Sequence, residues 1–278
     1  MLASQRNKAI LQALFVTLLW SSSWVLIKRS IEEIPPLTFA GLRYSIAFLI
    51  LLPGMLTKRD SIRQISKNEW GKLLLLGLVY YAFTQGGQFF SLKYLDAITL
   101  SLMLNFSAPL VAIIGLVVLH ESVSKLQWGG LALFLVGVLV YFSPQTSLPK
   151  SSLGLALGVF TILSNAIASV LGRGINRQKS LDPILVTGIS MGFGAVLMLV
   201  SGIVFQGLPP LSSNSWLILI LLAVVNTALA FWLWNKSLQV LTAMESSIIN
   251  NTMLIQISLL AWLFLGEKIT WIGAIGLA

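Results

Sequence analysis

Nine stretches of this chain are almost continuously apolar, near residues 9–27, 37–56, 72–90, 97–119, 126–142, 153–171, 183–205, 216–234 and 244–265. Each is about as long as the roughly 20 residues that a helix needs to cross a ~30 Å hydrocarbon core. A tenth run begins near Ile269 and reaches only Ala278. Only 10% of the residues are charged, against roughly 25% in soluble domains, too few for a water-facing surface. The expected fold is an all-α polytopic membrane protein of ten transmembrane helices, the tenth truncated. The first run is followed by Lys28-Arg29 without a small-residue cleavage site, so it reads as a retained helix.

The chain also repeats itself. Residues 70–132, moved forward by 146 positions, lie on 216–278 without a gap, with about 17 of 63 pairs identical. Trp70 falls on Trp216, Ser101 on Ser247, Asn105 on Asn251, Glu121 on Glu267 and Gly130 on Gly276. Asn and Glu are rare in so apolar a chain, so the polar matches carry the argument. The mixed segment 143–152 divides an N-terminal five-helix repeat, 1–142, from a C-terminal one, 153–278. An odd number of crossings per repeat turns the second one upside down, giving two inverted five-helix repeats, an arrangement common in secondary transporters.

A net charge of +9 could suggest nucleic acid, but its distribution points elsewhere. With the N-terminus inside, the inner segments hold Arg6, Lys8, Lys58, Arg59, Arg63, Lys67, Lys72, Lys125, Arg173, Arg177, Lys179 and Lys236. The outer segments hold Lys28, Arg29, Lys93, Lys150 and Lys268, and Arg43 lies within a helix. That bias is the positive-inside signature. It predicts a multi-pass protein of the cell (cytoplasmic or inner) membrane with a cytoplasmic N-terminus, and no nucleic-acid partner.

Polar side chains inside the apolar runs mark the candidate site. Trp20 and Trp24 share a face of the first helix, as a cavity wall or as packing beside the intervening serines. Tyr81, Gln85 and Gln88 stand at i, i+4 and i+7 on the third, and two amides in hydrocarbon need a wet cavity or bundle partners. Ser101 and Asn105 stand on the fourth, where Pro109 removes a backbone donor and predicts a kink. Asn165, Asn226 and Asn251 complete the predicted lining. Arg43 cannot shed its charge, so it snorkels, pairs, or contacts an anionic group of the solute. Glu245 opens the ninth helix, where the macrodipole favours an acid.

The Gly188–Gly192 segment matches G-x-S-x-G, but that motif needs a strand-to-helix elbow, and small-residue packing explains it better. There is one histidine, His120, and no cysteine. No catalytic residue, metal, cofactor or nucleotide motif is expected.

Trp20 in the first helix, Leu42-Arg43 in the second, and two copies of a helix ending in glutamate resemble the EamA family of the drug/metabolite transporter superfamily. The copies read Ala108-Pro109…Leu119-His120-Glu121-Ser-Val-Ser…Gly130 and Leu265-Gly266-Glu267-Lys-Ile-Thr…Gly276. The resemblance implies ten helices in two inverted repeats, a cavity lined by helices 1–4 and 6–9, peripheral helices 5 and 10, and export or exchange of small organic solutes. Two departures stand out: Ile255 replaces Pro109 in the second copy, and the tenth helix is short. Glu121 and Glu267 read as structural loop residues at the starts of helices 5 and 10.

An aromatic and amide lining with few fixed charges suits an amino acid or similar amphipathic solute better than a sugar phosphate. The chain therefore reads as a secondary transporter working by alternating access on a proton or solute gradient, as a monomer or homodimer in the lipid bilayer. The competing classes are a lipid-carrier flippase and an intramembrane serine hydrolase.

Overall fold

Local chemistry sets where the helices begin. In the computed structural model, which describes residues 2–30, 34–91, 94–95, 100, 103–143, 151–265 and 271–277, helix α1 spans Leu2–Ser30 and α2 spans Pro36–Leu56. Pro36 stands in the first turn of α2, where a missing N–H costs nothing. After a short turn of helix, Arg59–Arg63, a rod α3 runs through Lys67–Leu76, Gly77–Gln85 and Gly86–Ser91. Its start is a capping box between Ser66 and Glu69. The Ser66 N–H and hydroxyl hold the exposed Glu69 carboxyl below its ordinary range.

Helix α4, Ser107–Val118, is followed by α5, Lys125–Phe142, which opens on a second capping box, Ser124 with Gln127. Helix α6 is Ser152–Arg177, capped by Ser151, and α7 is Pro183–Gln206, capped by Asp182 with Pro183 in the first turn. The rod α8, Ser213–Ser237, is capped by Ser212. Then α9 runs as Ala243–Asn251 and Met253–Leu265, opening on the Thr242–Glu245 capping box, and α10 is Trp271–Leu277.

All secondary structure among the described residues is helical. Among the described residues five helices are long and apolar enough to cross a membrane: Pro36–Leu56, Ser152–Arg177, Pro183–Gln206, Ser213–Ser237 and Ala243–Phe264. Leu126, Leu133, Val204, Phe205, Leu217 and Trp271 are among the large apolar side chains left exposed. That inverts the soluble pattern and fits a chain whose solvent is lipid.

Two irregularities recur at the spacing of the sequence repeat. Helix α3 winds as a π-helix over Gly77–Gln85, and α8 does so over Val224–Leu229. Shifted by 146, the first stretch lies on 223–231 and encloses the second. The fourth and ninth helices are also interrupted at matching places, Phe106 and Thr252. In α4 the break follows from Pro109, which sits in the first turn of the new helix because it cannot donate to Asn105. In α9 there is no proline. The Thr252 hydroxyl donates to Ile249 O at 2.7 Å and accepts from Gln256 Nε2 at 3.3 Å, and the Thr252 N–H donates to Ile249 O at 3.1 Å, a tightened i−3 turn. The Ile255 substitution thus leaves the second copy broken at the equivalent position.

Helices α2 and α7 pack antiparallel and very closely. A Cβ on Gly41 would lie 2.5 Å from Leu199 Cα, and one on Gly202 would lie 2.7 Å from Thr38 Cα. Gln206 Oε1 accepts from Leu37 N at 2.9 Å, so the end of α7 also caps the start of α2.

Helices α4 and α9 are antiparallel as well. Gly115 faces Ala243, and Ala108 and Ala112 cluster with Met244. Continued outward, that register brings Asn105 and Asn251 to the same level of the bundle. Both are buried, at 8% and 7% exposure.

Candidate functional site: aromatic layer and amide cavity

Six aromatic rings from four helices meet in the middle of the bundle. Trp20 of α1 packs on Phe231 and Trp234 of α8 with ring centroids 5.0 and 5.1 Å apart. Tyr44 of α2, with Tyr80 and Tyr81 of α3, surrounds Phe231 at 5.4–5.9 Å. Tilted and edge-to-face pairs at such separations are favourable aromatic geometry. Together they form one connected layer.

On one side of this layer lies a cavity of about 20 Å³, lined by Tyr80, Asn165, Ser169, Trp234, Leu238, Ser246, Ser247 and Asn250. It is room for about one water. Its walls come from α3, α6, α8 and α9, and apart from the tyrosine they carry hydroxyls, amides and apolar surface. Nearby, Trp20 Nε1 and Asn251 Nδ2 are buried donors without a hydrogen-bond partner among the described residues.

On the other side of the layer Arg43 projects from α2 between α1 and α8. Its Nε donates to Thr227 Oγ1 at 2.6 Å, and its Nη2 donates to Asn226 O at 3.2 Å and Ser23 Oγ at 3.4 Å. The Asn226 amide donates to Leu19 O and, at 2.9 Å, to Ser22 Oγ, tying the π-helical turn of α8 to α1.

Beyond the cavity, the Arg173 end of the bundle is held by charge. Arg173 Nε donates to Glu121 Oε1 at 2.7 Å, and Arg173 Nη1 donates to Leu238 O at 2.7 Å. The other Glu121 oxygen accepts from Ala243 N at 2.7 Å, where the first N–H groups of α9 and its dipole favour an anion. Both side chains are 11% exposed. Arg177 Nη1 adds a bond to Leu119 O at 2.7 Å. At the margin Arg6 pairs with Glu245, and Lys58 with Asp182 at 3.3 Å.

The residues singled out from sequence are distributed unevenly across this arrangement. Asn165 lines the cavity, and Trp20 lies one ring behind it, packed on the lining residue Trp234. Tyr81 is buried in the packed core, with a hypothetical Cβ on Gly194 of α7 falling on its side chain, while the adjacent Tyr80 lines the cavity. The π-helical winding explains the offset, since i, i+4, i+7 spacing assumes an unbroken α-helix. Gln85 and Gln88 are partly buried farther along α3. Asn226 faces Arg43 and α1. Asn105 and Asn251 lie at the helix breaks.

Glu121 reaches α6 and α9, while the start of α5 is capped by Ser124. Ser101, Glu267 and the Trp24 side chain fall outside the described residues. Ser169, Ser246, Ser247 and Asn250 also line the cavity. The i, i+1, i+4 spacing of the last three on one helix face was the available signal. Ser190 is buried mid-helix, its hydroxyl donating to Val186 O at 2.6 Å, and His120 is exposed at the end of α4 with φ 54°.

Comparison with known proteins adds four findings. The sequence matches the EamA-like transporter family over residues 7–143 and 152–278. It is 26% identical over 270 residues to the uncharacterised transporter YoaV of Bacillus subtilis strain 168, covering 95% of this chain and 90% of that one. It is 28% identical over 261 residues to an S-adenosylmethionine/S-adenosylhomocysteine transporter of Chlamydia trachomatis serovar L2, covering 90% and 80%. A solved crystal structure shares the fold with a TM-score of 0.81 at 19% identity, over 97% of this chain and 92% of the other.

Proposed function

This chain belongs to the EamA-like transporter family, and we propose that it moves an amino acid or similar amphipathic metabolite outward across the cell membrane by alternating access. The observation that carries this reading is the cavity beside the aromatic layer. Amide, hydroxyl and indole groups line it, and Lys, Arg, Asp, Glu and His are absent from its wall. Such a surface binds a solute whose own charges cancel, with rings for its apolar part and neutral donors and acceptors for its polar part. A cavity of about 20 Å³ is too small for any such solute, so the helices must part for it to enter.

Several features support two inverted five-helix repeats working against each other. The family match falls in two stretches on either side of 143–152. The π-helical turns and helix breaks recur at the 146-residue spacing, and Asn105 and Asn251, repeat mates, stand level on antiparallel helices. Discontinuous helices near the midplane are where secondary transporters place their sites. Basic inner loops support a cytoplasmic N-terminus, and the driving force is a proton or solute gradient. S-adenosylhomocysteine, one of the two solutes named for the chlamydial relative, is a zwitterionic α-amino acid and suits the same class, whereas S-adenosylmethionine carries an additional sulfonium charge.

The test is counterflow in proteoliposomes with a panel of neutral amino acids, S-adenosylmethionine and uncharged amphipathic metabolites. Asn165→Ala and Asn251→Ala should each lower uptake of the active solute about 5- to 10-fold, as loss of a buried neutral hydrogen bond predicts. Wild-type rates in both variants, or no uptake of any panel member, would overturn the reading.

A further inference from the structure

We infer that the Arg43 guanidinium is the docking point for a carboxylate of the transported solute. This rests on the reading of the chain as a carrier of amino-acid-like solutes and narrows it to those bearing a free carboxylate. Arg43 lies inside the bundle, and every acceptor it touches is neutral: Thr227 Oγ1, Asn226 O and Ser23 Oγ. Among the described residues no carboxylate lies within ion-pair distance of it.

Arginine cannot lose its proton in a protein, and an unbalanced charge within a membrane bundle is costly, marking solute or ion pathways when it persists. Among the described residues nothing supplies the counter-charge, and the carboxylate of a bound solute would. Nε and Nη2 are engaged, and Nη1 makes no hydrogen bond to the described residues. That leaves a planar donor edge suited to a carboxylate oxygen pair. A single guanidinium suits one negative charge better than a phosphate dianion.

Position agrees with this assignment. Along α8, Thr227 at Arg43, Phe231 in the aromatic layer and Trp234 at the cavity span seven residues, about 10 Å at 1.5 Å per residue. A solute held at Arg43 would keep its α-ammonium beside the carboxylate, lay its apolar part on the rings and turn any polar side-chain end toward the amides. Fixed neutral partners on α1 and α8 also keep the guanidinium aimed when no solute is present.

The experiment compares each acid with its own amide, L-phenylalanine with L-phenylalaninamide and L-methionine with L-methioninamide, by thermal stabilisation of the purified protein. Phosphatidylcholine vesicles are used for transport, so that no anionic headgroup competes. At least one acid should bind 10-fold or more tightly than its amide, the loss expected for a charge-assisted hydrogen bond. Arg43→Gln should bring the acid down to the level of the amide, and Arg43→Lys should retain part of the preference. Equal affinity for acid and amide in the wild type, or no stabilisation by either acid, overturns the assignment without recourse to a variant. So does an Arg43→Gln protein that keeps the preference.

If stabilisation appears only with added phosphatidylglycerol, the counter-ion is a lipid headgroup and the assignment fails. The two readings fail separately. Asn165-dependent transport of solutes lacking a carboxylate overturns the Arg43 assignment alone, and carboxylate binding at Arg43 without vesicle transport overturns the carrier reading alone.

Discussion

Replacing Glu121 with Ala should destabilise the Arg173 end of the bundle by about 3–5 kcal/mol, the usual consequence of removing one partner from a buried ion pair. The pair itself need not add much net stability, because desolvating both charges offsets most of their attraction. The damage comes from what is left behind. Arg173 would stay nearly buried with only Leu238 O as an acceptor, and the Ala243 N–H would lose its carboxylate.

Arg173→Ala should cost about as much, and the double variant much less than the sum, because the orphaned charge is then gone. The pair joins the α4–α5 connection to α6 and to the start of α9, which spans both sequence halves. Its loss should therefore open this end preferentially. The chain has no cysteine, so Ser247→Cys provides a single reporter in the cavity wall. A membrane-impermeant maleimide should label it at least 10-fold faster in the Glu121→Ala background. Additive stabilities, or unchanged labelling with the fold intact, would show that the pair does not hold this end closed.

How much of this was legible in the chain depends on the range of the interaction. Features written within a few residues were readable: the apolar runs, Pro36 and Pro183 at helix starts, the acid Glu245 in the first turn of α9. The polar positions Asn165 and Asn226 stood out because amides in hydrocarbon demand partners.

What could not be read was phase and distance. A π-helical turn leaves no residue signature in Gly77–Gln85, and it is Tyr80 that lines the cavity while Tyr81 packs in the aromatic layer. The break at Thr252 has no proline to announce it, and the apolar context carries no other local signal. The Glu121–Arg173 pair links positions 52 apart, and only the packed bundle chooses that partner over Lys125 or Arg177. Arg43 carried three open readings because its surroundings come from helices 20 and more than 180 residues away.

Gly41→Ala and Gly202→Ala should each destabilise the protein by about 1–3 kcal/mol, the range for forcing extra atoms into a packed interface, and the double variant should approach the sum or exceed it. Ordinarily alanine favours a helix over glycine by about 1 kcal/mol, so these substitutions must overcome a gain before they show a loss. They do so because the obstacle is backbone. The Gly41 Cβ would meet Leu199 Cα and N at 2.5 and 2.7 Å, and the Gly202 Cβ would meet Thr38 Cα and N at 2.7 and 2.8 Å. No rotamer change relieves either contact, so α2 and α7 must separate.

Separation would also lengthen the Gln206–Leu37 and Thr38–Gly207 hydrogen bonds that clamp the two ends. In a bilayer, where lipid competes equally for apolar surface, close backbone approach through small residues is a main source of helix association. Gly71 and Gly129 supply the contrast, since a Cβ at either meets nothing within 4 Å. Alanine there should be neutral or stabilising by up to about 1 kcal/mol. Thermal unfolding in one detergent, with all four single variants compared, separates the outcomes. Should Gly41→Ala and Gly202→Ala behave like Gly71→Ala, the α2–α7 contact is looser than this geometry, and a sliding interface would replace a rigid one in the transport cycle. If they destabilise as expected, the pair is a fixed strut, and the motion that admits solute must occur where the helices are already interrupted, at the π-helical turns and at Phe106 and Thr252.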